Sequence, residues 1–140
     1  MKKKKTVARK KAFKHTVKPR VQKELANHLE AHLPDAYHPR LLHLSGAQVP
    51  GADVFITSRS VTKLAKPADP NVKPHRHPVS QTYMFISPDN SLEVEVEIAG
   101  RRSKVRAPAA TFIPAGKLHA LRILRGTGTV LSIVRSGTYE

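Results

Sequence analysis

His75 and His77 are separated by a single residue, in the segment Pro74-His75-Arg76-His77-Pro78-Val79-Ser80-Gln81-Thr82-Tyr83. In an extended strand, residues i and i+2 point the same way. Both imidazoles then face one point, and Arg76 faces away. Further along, Pro114-Ala115-Gly116-Lys117-Leu118-His119 supplies a third histidine after a turn built from Pro and Gly. A lone inward histidine is more often a hydrogen-bonded core residue than a ligand. Three imidazoles on rigid strands suit a metal ion, because they fix it and leave positions open for substrate or water. The spacing predicts that His75, His77 and His119 converge on one metal inside a small β-barrel.

Five other residues or groups of residues could carry chemistry. Gln81 follows His77 after three residues. Tyr83 lies on the same strand face, roughly 6–7 Å further along. It can act as acid, base or substrate anchor, or it can be a core aromatic with a satisfied hydroxyl. Arg59 shares a face with Phe55, Thr57 and Val61; if that face lines a cavity, Arg59 binds an anionic substrate, and a surface arginine is the plainer reading. Glu93, Glu95 and Glu97 alternate along one face, but a basic strand follows them and favours a structural ion ladder over a catalytic cluster. His28 and His32, at i and i+4, lack a third ligand nearby and read as solvent-facing.

Strands must position these residues. Asp53–Thr62 is rich in β-branched and aromatic residues, and a shorter strand is expected at Arg40–Leu44. Lys63–Lys73, with Pro67 and Pro70, reads as a loop. Gln81–Ile86 is the next strand; Gln81, Tyr83 and Phe85 share one face and Thr82, Met84 and Ile86 the other. Both faces are partly apolar, which suggests a strand buried on both sides and hence a homodimer. Leu92, Val94, Val96 and Ile98 then alternate with the three glutamates. Ala99-Gly100 or Gly100-Arg101 makes the hairpin turn, and Arg102, Lys104 and Arg106 return beside the glutamates. Thr111–Pro114 is a short strand. His119–Leu124 and Gly128–Arg135 are the last two, joined by Arg125-Gly126-Thr127. His119, Leu121 and Ile123 share an apolar inward face, where an unpaired ring is costly.

Ahead of the strands, Val21, Leu25, Leu29 and Leu33 recur at i+4, and Pro34 follows. This predicts a helix over residues 20–33. Residues 1–19 read as a flexible basic arm. The chain has a net charge of +15, and residues 1–23 hold eleven of its 25 Lys and Arg with no acid. The arm can contact a polyanion, nucleic acid included, through phosphate neutralisation, or be a solubilising leader. The 140 residues suit one domain, residues 20–140, with its own core. The absence of cysteine excludes disulfides and Cys-ligated metals. No apolar run spans a membrane. The charged start, Met1–Lys5, is not followed by an apolar segment, so a cytoplasmic location is expected.

The histidine pattern resembles the cupin superfamily, small jelly-roll barrels with two histidine motifs. The first family motif is Gly, five residues, His-x-His, three or four residues, Glu, six residues, Gly. His75, His77 and Gln81 match, with Gln for Glu; Asp69 and Pro88 stand at the glycine positions. The second is Gly, five residues, Pro-x-Gly-x-x-His, three residues, Asn. Pro114, Gly116 and His119 match; Pro108 replaces the glycine and Ile123 the asparagine. The resemblance covers roughly residues 40–136. It implies an all-β, double-stranded β-helix (jelly-roll barrel), here with a short N-terminal helix and a basic arm. It also implies a metal-dependent protein acting on a small molecule, with His75, His77 and His119 as ligands and Gln81 at the fourth position. Gln81 can be a ligand, an orienter of a ligand, or a donor to a metal-bound species. Three neutral imidazoles leave the metal its full charge, which favours anionic ligands. Family members with three histidines and no acidic ligand include ferrous oxygenases. The resemblance therefore favours Fe(II) and a dioxygenase-type oxidoreductase, with Mn, Ni, Zn and Cu as alternatives. A non-catalytic ligand-binding module is the rival within the same fold.

Overall fold

Alternating side chains and turn residues dominate the sequence from residue 40 onward, and the computed structural model is built from strands accordingly. It describes residues 15–22, 34–67 and 72–138. Among the described residues nine strands run in chain order: β1 (Arg20–Val21), β2 (Leu41–Leu44), β3 (Phe55–Leu64), β4 (Val72–His75), β5 (Gln81–Ile86), β6 (Glu93–Ile98), β7 (Arg101–Arg106), β8 (Ala109–Ile113) and β9 (His119–Val134). No helix occurs among the described residues, so none there crosses a membrane.

The strands form two layers that share β9. One layer has the order β1-β2-β3-β9-β5-β8. In the other, the first half of β9 pairs with β4 and β6, and β6 pairs with β7. All these pairings are antiparallel. The main core lies between the layers and includes Val61, Tyr83, Phe85, Leu92, Val94, Val96, Ile113, Leu121, Ile123 and Val130.

The β6–β7 hairpin follows the predicted alternation. Val94 and Val96 are buried. Glu93, Glu95 and Glu97 lie opposite Arg106, Lys104 and Arg102. On the other side of β6, Glu93 and Glu95 face Arg125 and Arg122 of β9. Arg125 pairs with Glu93, and Arg102 lies 3.4 Å from Glu97. The acidic stripe is thus held between basic neighbours, and each exposed pair of this kind contributes about 0.2–1 kcal/mol. Ala99 and Gly100 form the turn with φ of 50° and 83°, the signature of a two-residue turn whose twist matches the strands.

Four expectations are corrected. The two final strands are one strand of 16 residues. Arg125-Gly126-Thr127 does not turn the chain back. Instead it bends β9 from one layer into the other, where the backbone of Gly126 and Gly128 packs against Ser91 and Ile86. A Cβ on Gly128 would lie 2.4 Å from the Ile86 carbonyl oxygen. The loop expected over 63–73 is strand at both ends, because Leu64 still pairs with Gly126 and Val72 with Leu121. The strand expected at Asp53–Thr62 is shifted, running from Phe55 to Leu64. The predicted helix fails at its start. Arg20 and Val21 pair with Leu42 and Leu41, and Gln22 N–H continues the contact to the Arg40 carbonyl at 2.8 Å. The open edge of β2 there offers hydrogen bonds that override a weak local helical preference. Leu25, Leu29, Leu33, His28 and His32 lie outside the described residues, as do residues 1–14 of the basic arm.

β5 is buried on one face only, at Gln81, Tyr83 and Phe85. Its outer face leaves Met84 and Ile86 exposed, and Phe112 of the neighbouring β8 is 59% exposed.

Candidate functional site

His75 closes β4 and sits opposite His119, the first residue of β9. His77 follows in the link to β5, and its carbonyl accepts a hydrogen bond from Gly116 N–H at 2.8 Å. That bond ties the Pro114–Lys117 turn to the His-x-His segment. It explains why a Pro-x-Gly turn belongs here, since Gly116 has φ of 79°, a conformation glycine adopts at no steric cost. Ring centroids are 4.7 Å apart for His75 and His77, 4.4 Å for His75 and His119, and 5.3 Å for His77 and His119. One ligand nitrogen from each lies within 4.8 Å of the others, and all three residues are buried.

Two of the rings are oriented by the backbone two residues before them. His75 Nδ1–H donates to the Lys73 carbonyl at 2.6 Å. His119 Nδ1–H donates to the Lys117 carbonyl at 2.9 Å. A carbonyl can only accept, so each neutral ring carries its proton on Nδ1 and presents an Nε2 lone pair. His75 Nε2 and His77 Nε2 approach to 3.1 Å. Two nitrogens bound side by side on one metal at about 2.1 Å stand roughly 3.0 Å apart. The observed spacing fits that donor set.

Two buried polar atoms also point to a ligand. His119 Nε2 and the Gln81 side-chain oxygen are enclosed and make no aligned hydrogen bond. Leaving such atoms unmet costs about 1–3 kcal/mol each, and a cation would satisfy both. The Gln81 amide is oriented, because its Nε2–H donates to Ser132 Oγ at 2.6 Å, which leaves Oε1 as the acceptor on the His77 side. Burial pushes all three imidazole pKa values down. His77 falls to about 4, first through burial and then through the like charges of His75 and His119, with Gln81 acting in the opposite sense. Neutral rings are the form a metal requires. Three neutral imidazoles and an amide oxygen could therefore hold a divalent transition-metal ion.

Tyr83 stands beside this cluster, its ring 6.2 Å from that of His119 and stacked at 6.2 Å on Phe85. Arg59 is separate. It is buried, not on the surface, and its Nη1 donates to the His38 carbonyl at 2.6 Å while its guanidinium lies 5.7 Å from the centre of the Tyr37 ring. It pairs with Val130, four residues along β9 from Val134, the partner of Gln81. Sequence reasoning missed Ser132 and the two lysine carbonyls. Ser132 was detectable as the one polar residue between Val130 and Val134 on an inward-facing alternation.

No family model matches the sequence, and no curated protein matches it. Solved structures do. KdgF from Halomonas sp. aligns with a TM-score of 0.52 at 14% identity, over 86% of this chain and 94% of that one. An RmlC-like cupin from Shewanella frigidimarina aligns at 0.50 and 14%, over 86% and 93%. Oxalate decarboxylase of Bacillus subtilis aligns at 0.55 and 13%; the match takes in 89% of this chain but 31% of the decarboxylase.

Proposed function

From the premise that this chain has the cupin fold, we propose that it is a metal-dependent enzyme for a small molecule, an oxidoreductase of dioxygenase type. The observation that carries the metal reading is the pair of backbone-locked imidazoles, His75 and His119, whose Nε2 atoms turn toward His77. His75, His77 and His119 are the proposed ligands. Gln81 is the proposed fourth contact, through the oxygen that its bond to Ser132 does not use. Fe(II) is favoured, because an all-neutral ligand set suits dioxygen activation, the chemistry the ion supplies when bound. Manganese is the main alternative, since oxalate decarboxylase, a structural neighbour, has Mn(II) centres.

The protein's own groups have separate tasks in this reading. The Lys73 and Lys117 carbonyls hold two rings in the ligating tautomer. Leu121 and Ile123 continue the buried face of β9 that starts at His119, and these apolar neighbours are proposed to limit water at the rings. Tyr83, beside His119, is the proposed acid, base or substrate anchor. Metal analysis of the purified protein beside a His77→Ala variant tests the site. Stoichiometric metal is expected in the first and a large loss in the second; equal content would refute it.

The site is proposed to work within a homodimer in the cytoplasm. The exposed Met84, Ile86 and Phe112 support the dimer. A second role is proposed for residues 1–19, contact with a polyanion, supported by their positive charge. Deleting them should abolish salt-sensitive nucleic-acid binding, and unchanged binding would end that idea.

A further inference from the structure

A cavity of about 570 Å³ opens between the β6–β7 hairpin and the β8–β9 turn. That size is in the range of small-molecule pockets. Its walls are uneven in character. Val96, Ile98 and Val105 form the apolar interior, and Arg101, Arg102 and Lys117 stand at the exposed rim. No carboxylate lines it among the described residues. Arg102 is partly engaged with Glu97 at 3.4 Å, so Arg101 and Lys117 supply most of the positive field.

The inner wall adjoins the histidine cluster. Thr111 lines the cavity and is the cross-strand partner of Tyr83. Ile98 lines it and is the partner of His119. The Pro114–Lys117 turn that delivers His119 also supplies the rim lysine.

We infer that this cavity binds a small carboxylic acid with an apolar body, carboxylate at the Arg101–Lys117 rim and apolar end directed inward toward Tyr83 and His119. The inference rests on the reading of the histidine cluster as the reaction centre, and it narrows the substrate class. The charged end is held away from the cluster, so the carbon nearest the histidines belongs to the apolar part. A compact dicarboxylate such as oxalate has no such part and fits poorly. The aliphatic walls supply binding through excluded water, and the rim supplies orientation.

The test uses the full chain, with and without a chelator, and 4-phenylbutyrate as probe against its primary amide and oxalate, by calorimetric titration. Saturable binding of the acid is expected, about fivefold or more tighter than the amide and weakening as salt rises. Lys117→Gln and Arg101→Gln should each weaken the acid about three- to fivefold and leave the amide unchanged. Both side chains are exposed, and the Lys117 carbonyl that fixes His119 is retained. Equal affinity for acid and amide, indifference to both substitutions, tighter binding of oxalate, or no binding would overturn the inference. Binding that persists without metal in a protein that never holds metal would uphold the cavity while removing the metal reading. Full metal content with no probe binding would do the reverse.

Discussion

Removing metal and lowering the pH should destabilise this protein through His77 in particular. The ring is 2% exposed, and its pKa falls from 6.5 to about 4 in the fold. The neutral form is the one the fold favours. The stabilisation is therefore complete above the unfolded value of 6.5 and is lost as the pH falls toward 4. The unfolded chain takes up a proton in that window that the folded chain refuses. At about pH 4.5 the gap amounts to roughly 2.5 kcal/mol from His77 alone. Burial lowers His75 and His119 as well, so both add in the same direction. This is a large share of the roughly 5–15 kcal/mol that holds a domain folded. The assay is urea unfolding of chelator-treated protein at about pH 7 and pH 4.5, repeated for His77→Gln to subtract the carboxylates that titrate in the same range. The wild type should lose about 2–3 kcal/mol more than the variant between the two pH values. Equal losses would refute the claim that the buried, neutral His77 ring contributes to the acid response.

Three further outcomes are expected. Gln81→Glu places an anionic oxygen where the amide oxygen now sits, so metal affinity in a chelator competition should rise about tenfold or more; an unchanged affinity would remove Gln81 from the site. Gly128→Ala brings a Cβ to 2.4 Å from the Ile86 carbonyl oxygen and should cost about 1–3 kcal/mol in urea unfolding, whereas a neutral effect would show that the bend in β9 tolerates a side chain. Phe112→Glu charges the apolar outer face of β8 and should convert the proposed homodimer to monomer in light scattering, and a persistent dimer would place the interface elsewhere.

Legibility in the sequence followed the strength of the local signal. The β6–β7 hairpin was readable in its faces, because its alternation is strict, but its turn was narrowed only to Ala99-Gly100 or Gly100-Arg101, since either register sets the basic strand beside the acidic one; the pairing of Glu97 with Arg102 selects the first. The convergence of the three histidines was readable because strand periodicity fixes direction over two residues, and Pro-Ala-Gly marks the turn before the third. The continuity of β9 was not. Arg125-Gly126-Thr127 has the composition of a hairpin turn, and only the close approach of Ser91 and Ile86 shows that glycine is needed there for clearance. The start of the chain misled for the opposite reason. A stripe at i+4 was clear, yet at Arg20–Val21 an unpaired edge of β2 outweighed it. Arg59 shows the limit of alternation: the surface reading fails because the residue is buried, and a strand pattern does not reveal that the His38 carbonyl and Tyr37 would engage it.

The sharing of β9 between the two layers has a consequence for the order of assembly. His75, His77 and Gln81 leave the ribosome well before the strand that carries His119 and Ser132. Until β9 arrives, β3, β4, β5 and β6 lack the common partner that holds the layers together. Such long-range pairing makes folding slow and late. The cluster therefore cannot form on a partly made chain, and the proposed ion capture would wait for the last step of folding. On the proposed metal reading, a nascent protein of this design would be shielded from loading whichever metal it meets first, because the cluster closes only when the whole domain does.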